Sequence, residues 1–424
     1  MRRLELLRRL ARPSSSKILL WVFDGLGGLP HPETNRSELE TAHIPHLDDF
    51  ARRSSCGVHE PVGPGITTGS GFGHMALFGY PVHEDSNLPR GVLEVLGSTH
   101  YYELGQHHTL LYNPLTPHTL AMRGNFASLT RTDSGERVVA DRRANAISSK
   151  QTARLCELLS SRVSLPGVSV RWYPGRAHRF AISLHAEQGR LQECVSDSDP
   201  QRSGLAPLSI APYDEGASAP TARLLNELIA QSEAALATRE EADTILLRGA
   251  GFPQQVPTLS ELYGLRPAAI ATYPVYRGVA RQVGMEILPV HGLEPEDQLQ
   301  TLREHHHAHD FFFFHIKATD SLAHKKDFDG KVAYFERCDA LFHEACSLGF
   351  DVITVTGDHC TPSIMGAHSW HPVPTAMWSP HVFAGETQVF TERACTQGSL
   401  GFRQARDLMP LMLAEAGRLE AYGP

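Results

Sequence analysis

The sequence has no long hydrophobic run, and none of its apolar stretches approaches the roughly 20 residues that a membrane-spanning helix needs. Its first residues place arginines ahead of an apolar run, as a signal peptide does. This run is short, lacks a small-residue cleavage site and ends at Asp24. We therefore interpret residues 17–23 as the first core strand, and we expect no membrane partner.

Cysteine is also scarce, with seven residues scattered among 424 and no C-x-x-C pair. An odd, scattered set predicts neither a disulfide framework nor a zinc site made of thiolates. This distribution fits a reducing compartment, and we expect the protein to be cytoplasmic.

Positive charge is not in excess, because 39 basic and 47 acidic residues give a net charge of −8. Such a balance offers no broad basic face, so we expect no nucleic acid partner, and an anionic substrate must be bound locally. The content of 41% hydrophobic and 20% charged residues allows a large core. The length favours two or more domains, and nothing in the sequence indicates an oligomeric state.

Several short runs are apolar on both faces, which is typical of buried parallel strands. Helical patterns lie between them, for example at residues 44–53 and 331–348. This alternation predicts an α/β fold with a doubly wound, mostly parallel sheet. The runs are KILLWVF (17–23), TILLR (244–248), AAIAT (268–272), FFFFHI (311–316) and DVITVT (351–356).

The middle of the chain is instead rich in turns, short alternating segments and arginines. We interpret it as an inserted, smaller α+β domain, with boundaries at 1–100, 101–250 and 251–424. Within it, the Pro-, Ser- and Gly-rich residues 201–221 predict an irregular loop before a helix.

Acidic and histidine side chains cluster just after the predicted strands, at the edge where open parallel sheets bind ligands. Any one of them could be a helix cap or a surface residue. Together they predict two metal sites of mixed carboxylate and imidazole ligands, suited to manganese or zinc. The six residues are Asp24, Asp320, His324, Asp358, His359 and His368.

Two other histidine features are interpreted as structural. The HHHAH segment at 305–309 precedes the strand at 311–316 and so belongs to the opposite edge. His315 lies inside that strand.

A glycine-rich turn within residues 63–80 presents Ser70, with His74 one helical turn later. A serine so placed is a candidate nucleophile that a divalent cation could activate. Without the metal cluster, Ser70 would be interpreted as a helix N-cap. Thr67 and Thr68 are alternative nucleophiles.

A series of motifs runs along residues 17–374. They are DGLGG, LETAHIPHLD, GITTGSGFGHMALFGY, PRGVLEVLG, DRRANAI, LLRGAG, YRGVARQVG, HIKATDSLAHKKDFDGKVAYFERCDA, GDHCTP and HSWHPVP. In order and spacing they resemble the archaeal-type 2,3-bisphosphoglycerate-independent phosphoglycerate mutases of the alkaline phosphatase superfamily.

The resemblance implies a sheet of alkaline phosphatase type and two divalent ions, manganese first, with zinc, cobalt or magnesium as alternatives, and no 2,3-bisphosphoglycerate cofactor. It implies that one ion is held by Asp24, Ser70, Asp358 and His359, and the other by Asp320, His324 and His368. It implies that Lys317 and Arg277 lie at the phosphate and that Arg248 clamps the substrate. It also implies that the insertion contributes further substrate-binding residues, Asp141, Arg142 and Arg143, and a His-Arg pair, His178 and Arg179.

The implied reaction interconverts 3-phosphoglycerate and 2-phosphoglycerate, a step of glycolysis and gluconeogenesis. Ser70 would take the phosphoryl group, and the trapped glycerate would reorient and retrieve it with its other hydroxyl. Closure of the inserted domain would have to exclude water, since hydrolysis would otherwise compete.

The sequence departs from the family pattern at four positions. Gly71 follows Ser70 where many relatives have aspartate, and Arg277 replaces the usual lysine, which changes the geometry of the charge. Asn145 and Ala146 stand where many relatives have glycine and arginine, so one anion contact is missing.

Three alternatives therefore stay open: a sister enzyme for another phosphorylated or phosphonylated small acid, a metal-dependent phosphohydrolase, and a catalytically inactive metal-binding protein. The presence of every expected ligand and of the nucleophile argues against the third.

Overall fold

The structure is a computed structural model that describes residues 2–82, 88–98, 115–187, 189–214 and 216–423. The chain forms two compact units. The first comprises Met1–Ser86 and Pro257–Pro424, and the second comprises Asn87–Val256. The predicted boundary between residues 100 and 101 lies outside the described residues.

The first unit is built on an eight-stranded sheet. Its strands are β1 Ile18–Phe23, β2 Ser55–Glu60, β8 Pro267–Ile270, β9 Glu286–Ile287, β10 Phe311–Ile316, β11 Val352–Thr356, β12 Val373–Trp378 and β13 Gly401–Gln404. The second unit contains β3 Thr119–Arg131, β4 Arg137–Asp141, β5 Ser169–Pro174, β6 Arg179–His185 and β7 Thr244–Gly251.

The helices of the first unit are α1 Arg2–Leu10, α2 Glu38–Thr41, α3 Pro45–Arg52, α4 Ser70–Leu77, α8 Leu259–Tyr263, α9 Pro274–Gln282, α10 Pro295–His305, α11 Ala318–His324, α12 Phe328–Cys346, α13 Glu392–Cys395 and α14 Leu408–Glu415. Those of the second unit are α5 Arg90–Gly97, α6 Ser149–Arg162 and α7 Ala219–Leu236. Within the described residues, no helix is long and apolar enough to span a membrane.

The large sheet has the strand order β13-β2-β12-β11-β1-β10-β8-β9, and β12 runs antiparallel to both of its neighbours. The central β1 pairs in parallel with β10 on one side and β11 on the other. Every residue of these three strands is buried, as their continuous apolar runs predicted.

Helices pack on both faces of this sheet. On one face, Trp21 stacks on Phe314 with ring centroids 4.0 Å apart and meets Phe342 of α12 edge-on. On the other face, Phe313 contacts His74 and Phe78, at and just after α4. The predicted α/β fold with a mostly parallel sheet is therefore confirmed.

The second unit has an antiparallel sheet in the order β4-β3-β6-β5, with β7 paired to β3. The run TILLR forms the start of β7, so its prediction as a parallel strand was wrong. The helix α5 belongs to this unit because its Val92 and Val95 pack on Ala121 of β3. The second unit, Asn87–Val256, therefore includes α5 as well as the strands β3 to β7.

Candidate functional site

The carboxyl ends of three adjacent parallel strands bring charged side chains together in the first unit. Asp24 directly follows β1, Lys317 directly follows β10 and Asp358 comes two residues after β11. Because these strands are hydrogen-bonded neighbours, their ends meet at one edge of the sheet.

A first group of three buried side chains lies at this edge. Asp24, Asp358 and His359 each offer one ligand atom, and these atoms all lie within 4.8 Å of one another. The Nε2 atom of His359 is 3.2 Å from Asp358 Oδ2 and 3.5 Å from Asp24 Oδ1. Neither carboxylate oxygen makes a hydrogen bond among the described residues.

A second group surrounds Asp320, the third residue of α11. Ligand atoms of Asp320, His359 and His368 also lie within 4.8 Å of one another. His324, one turn later on the same helix, places Nε2 3.3 Å from Asp320 Oδ1. The structure thus brings together all six acidic and histidine residues that follow the strands, with His359 between the two groups.

The histidine rings are held in a common orientation. His368 donates from Nδ1 to the Thr68 carbonyl at 2.8 Å, and His324 donates from Nδ1 to the Gly366 carbonyl at 3.0 Å. A ring whose Nδ1 carries the proton has its lone pair on Nε2, and in both residues Nε2 faces Asp320.

His359 follows the same rule through Thr361. The Thr361 hydroxyl donates to Asp320 Oδ1 at 2.9 Å, so it accepts from His359 Nδ1 at 3.0 Å. The lone pair of His359 Nε2 therefore also faces carboxylates. Lone pairs directed at carboxylates are what a cation between them requires.

The pKa values of the acidic and histidine side chains in the site are strongly shifted. Burial would raise the pKa of Asp24, but Lys317 and His315 outweigh it and hold that pKa below its usual range. Burial and the neighbouring Asp24 raise the pKa of Asp358 to about 7. Burial lowers the pKa of His359 to about 3, so its ring is neutral and able to act as a ligand.

Ser70 is the first residue of α4, and its hydroxyl reaches the first group. Its Oγ atom lies 3.0 Å from His359 Nε2. Gly73 allows this close approach, because a Cβ atom there would lie 2.4 Å from the Asp358 carbonyl oxygen.

Three aromatic side chains around Ser70 and Asp24 were not identified as site residues from the sequence. Tyr276 directs its hydroxyl toward Ser70 Oγ at 3.5 Å and stacks on His315 with centroids 3.8 Å apart. His315, interpreted as structural, has Nε2 3.2 Å from Asp24 Oδ2. His74 donates from Nδ1 to the Ser70 carbonyl. The position of Tyr276, next to Arg277 in the YRGVA motif, was the available signal.

Two basic side chains complete the described surroundings of the first unit's site. Lys317 Nζ is 3.2 Å from Asp24 Oδ2 and also contacts Asp320 Oδ2. Although burial acts in the other direction, these carboxylates raise the pKa of Lys317, which stays cationic. Arg277 is buried within α9.

In the second unit, Arg142 is held by a bidentate pair with Asp199, at 2.9 and 2.6 Å. Arg248 Nη1 lies 3.7 Å from the same Asp199. Asp141 accepts hydrogen bonds from the backbone amides of Arg143 and Asn145, so it shapes the DRRANA turn.

That turn has an unusual backbone. Ala144, Asn145 and Ala146 have φ values of 46°, 54° and 60°, in the left-handed region that non-glycine residues seldom adopt. Asn145 and Ala146 are exposed. Arg143 and Arg179 are exposed as well, whereas His178 is buried.

Comparison with known proteins agrees with these observations. A family model described as "2,3-bisphosphoglycerate-independent phosphoglycerate mutase" matches residues 51–241. A Thermus thermophilus protein named a probable 2,3-bisphosphoglycerate-independent phosphoglycerate mutase is 42% identical over 420 residues, 98% of each chain. An Aquifex aeolicus protein of the same name is 38% identical over 425 residues, 99% of this chain and 100% of its own.

Solved structures share the fold. The cofactor-independent phosphoglycerate mutase from Thermoplasma acidophilum is 26% identical with a TM-score of 0.67, covering 95% of this chain and 100% of that one. A Pyrococcus horikoshii protein is 24% identical with a TM-score of 0.79, covering 96% and 99%. Given the identity to full-length relatives, this chain belongs to the family of 2,3-bisphosphoglycerate-independent phosphoglycerate mutases.

Proposed function

We propose that the protein interconverts 3-phosphoglycerate and 2-phosphoglycerate through a phosphoserine at Ser70, with two divalent metal ions and without 2,3-bisphosphoglycerate. The observation that carries this proposal is the 3.0 Å contact between Ser70 Oγ and His359 Nε2. The same nitrogen is approached by Asp24 and Asp358, so the candidate nucleophile lies at the candidate metal ligands. The names of the relatives supply phosphoglycerate as the substrate.

The donor set fits two divalent cations. Asp24, Asp358, His359 and Ser70 would hold one ion, and Asp320, His324 and His368 the other. The buried, unbonded oxygens of Asp24 and Asp358 and the Nε2 lone pairs facing carboxylates support this assignment. Mixed oxygen and nitrogen ligands suit manganese first, with zinc, cobalt or magnesium as alternatives. Divalent ions bound there would neutralise phosphate charge and lower the pKa of a coordinated hydroxyl.

The chain's own groups account for the transfer. Ser70 gives up its hydroxyl proton and its Oγ forms a bond to phosphorus as the bond from phosphorus to the substrate oxygen breaks, and that oxygen takes up a proton. In the return step the other hydroxyl of glycerate gives up its proton and attacks the phosphorus of phosphoserine, the bond from phosphorus to Ser70 Oγ breaks, and Ser70 takes up a proton again. The position of Ser70 at the amino end of α4 favours the negative charge of the transferred group.

Cationic side chains would stabilise the charge that develops on the phosphoryl oxygens. In our proposal Lys317 and Arg277 donate hydrogen bonds to those oxygens. In the second unit, Asp141, Arg142, Arg143, Arg179 and Arg248 bind the acid. Asp199 fixes the guanidinium of Arg142 in one orientation, which lowers the entropy lost on binding.

The deciding assay supplies 3-phosphoglycerate and manganese to the full-length protein without 2,3-bisphosphoglycerate and measures both 2-phosphoglycerate and free phosphate. We expect mutase turnover at an ordinary enzymatic rate, about 10 s⁻¹. Phosphate release alone would support a phosphohydrolase, and no conversion by a folded, metal-loaded sample would contradict the proposal.

The reaction would place the protein in glycolysis and gluconeogenesis in the cytoplasm. The exposed Ala146, which supplies no charge where many relatives have arginine, favours a second candidate, a mutase for a related small acid. A substrate screen against other phosphorylated and phosphonylated acids distinguishes the two.

A further inference from the structure

Arginines are concentrated on one face of the second unit's sheet. The register of β3 with its neighbours places Asn125 opposite Arg179 and Arg123 opposite Arg248. Directly paired residues share a face, as do residues i and i+2 of a strand. These four side chains therefore lie on the same face, next to the place where α5 packs on Ala121.

Two guanidinium groups at this face, those of Arg123 and Arg90, share one carboxylate. Arg123 stands directly opposite Arg248, a pairing of like charges that is unfavourable in a sheet, and Asp199 lies 3.7 Å from Arg248 Nη1. Glu94 Oε1 lies 3.7 Å from Nε of Arg123 and 3.7 Å from Nε of Arg90, so one carboxylate serves two guanidinium groups beyond hydrogen-bonding distance. Such a concentration of cations is suited to an anionic ligand.

Two buried side chains in the middle of this face have unsatisfied polar atoms. Arg123 is 3% exposed and Asn125 is 4% exposed. Among the described residues, Arg123 Nε and Asn125 Oδ1 make no hydrogen bond. Buried polar groups are nearly always paired, so an unpaired donor and an unpaired acceptor two residues apart point to a ligand that offers both partners.

The charge state of Arg123 is suited to that role. Burial lowers the pKa of Arg123 to about 9 although Glu94 acts in the other direction, and repulsion from Arg90, Arg248 and Arg179 adds to the effect of burial. The guanidinium is still protonated at neutral pH. A bound carboxylate would relieve both the desolvation and the repulsion.

We propose that Arg123 and Asn125 recognise the hydroxy-acid end of the substrate, the guanidinium binding the carboxylate and Asn125 Oδ1 accepting a hydrogen bond from the adjacent hydroxyl. This inference rests on the proposed function, because phosphoglycerate brings a carboxylate and a hydroxyl on neighbouring carbons. The two residues would determine specificity and would not take part in the transfer itself.

The test measures binding by calorimetry to the full-length, manganese-loaded Ser70→Ala protein, which cannot form the phosphoserine. Three probes separate the ligand groups: 3-phosphoglycerate, glycerol 3-phosphate, which lacks the carboxylate, and 3-phosphooxypropanoate, which lacks the hydroxyl. In the Ser70→Ala protein, which is the parent of the variants below, 3-phosphoglycerate should bind most tightly of the three.

Arg123→Met should weaken binding of both carboxylate ligands about ten- to a hundredfold, the range for losing a charge-assisted hydrogen bond, and leave glycerol 3-phosphate nearly unchanged. Asn125→Leu should abolish the advantage of 3-phosphoglycerate over 3-phosphooxypropanoate. Arg154→Met, an exposed arginine on α6 of the same unit, is the matched control and should bind like the parent.

Circular dichroism checks folding, and if Arg123→Met unfolds, Arg123→Lys tests the same point because lysine lacks the planar fork. Unchanged affinity for 3-phosphoglycerate in a folded Arg123 variant, or an equal loss for all three ligands, overturns the carboxylate assignment. If the parent itself fails to bind 3-phosphoglycerate, the proposed function fails, and this inference fails with it.

Discussion

The hydroxyl of Ser70 lies 3.0 Å from the Nε2 atom of His359, whose Nδ1 is committed to Thr361. With its proton on Nδ1, His359 can only accept at Nε2, so the Ser70 hydroxyl donates to it. Ser70 is thus held at the atom that would bind a metal ion, which favours it over Thr67 and Thr68 as the proposed nucleophile.

Ser70→Ala should therefore fold and bind metal but transfer no phosphoryl group. Acid-quenched wild-type enzyme incubated with 3-phosphoglycerate should carry one phosphoryl group on the peptide that contains Ser70, as read by mass spectrometry. Thr67→Val, which alters an exposed neighbour, should remain active. A phosphorylated Thr67 or Thr68 would contradict the assignment.

Removal of metal should abolish turnover, because Asp24, Asp358 and Asp320 would be left as mutually repelling carboxylates without the ions that organise Ser70. EDTA treatment followed by gel filtration should inactivate the enzyme, and manganese, cobalt or zinc should restore it. Asp24→Asn and Asp320→Asn should each bind one ion fewer by elemental analysis. Full activity in a verified metal-free sample would refute the two-metal proposal.

We expect Lys331 to position the proposed metal ligands through the backbone of the segments that carry or contact them. Its Nζ atom is fully buried and donates to the carbonyls of Gly25 and Thr361, each at 2.9 Å. Gly25 follows Asp24 in the chain, and the Thr361 side chain hydrogen-bonds both His359 and Asp320. Lys331→Met should weaken manganese binding and cost roughly 3–5 kcal/mol of stability, as breaking a buried charged contact does.

Part of this loss of stability should be recovered in the double variant Lys331→Met/Glu38→Gln. Glu38 Oε1 lies 3.8 Å from the Lys331 ammonium group, so the single variant leaves a buried carboxylate without its compensating charge, and glutamine removes that charge. Lys150→Met, at an exposed position of the second unit, is the control for loss of a lysine. Manganese titration and urea unfolding measure the two effects. Unaltered manganese affinity in a folded Lys331→Met protein would show that the contact is only structural.

His59 should make the protein sensitive to acid. Its ring is fully buried between Thr356 and Gly357, and burial lowers its pKa from 6.5 to about 4. Below pH 6.5 the unfolded chain takes up a proton that the folded chain refuses, so stability should fall as the pH drops from 6.5 to 4. This residue accounts for up to about 3 kcal/mol of that loss, at about 1.4 kcal/mol per pKa unit.

His59→Gln keeps a hydrogen-bond donor that does not titrate. It should be less stable at pH 7 but lose less stability on acidification to pH 4.5 than the wild type does. Urea unfolding in EDTA, followed by tryptophan fluorescence, removes any contribution from metal binding. The control His381→Gln, at an exposed position, should lose as much stability on acidification as the wild type does. If His59→Gln shows the same pH dependence of stability as the wild type, the prediction is contradicted.

Ala146→Arg tests the departure in the DRRANA turn. Ala146 is exposed, so an arginine there should change the free energy of unfolding by no more than about 0.5 kcal/mol. If phosphoglycerate is the substrate, the restored charge should leave kcat/KM unchanged or raise it. Ala146→Gln is the uncharged control, and a fall in kcat/KM caused by arginine but not by glutamine would favour another acid.

The sequence by itself predicted the central strands of the first unit's sheet and the six residues at its carboxyl edge. Continuous apolar runs report burial on both faces, and three of the runs, at 17–23, 311–316 and 351–356, end within a few residues of Asp24, Asp320 and Asp358. Parallel pairing makes this predictable, since neighbouring strand ends must meet.

Only the tertiary structure decided how those residues are supported and what lies opposite them. The ring orientation of His359 depends on Thr361, and the partners of Lys331 come from two distant segments. The run TILLR is an antiparallel strand because it pairs with β3. Arg123 is a candidate ligand-binding residue only because the fold places it, buried, opposite Arg248. Local patterns report periodicity and burial, whereas register, hydrogen-bond direction and charge crowding arise between segments that are far apart in the chain.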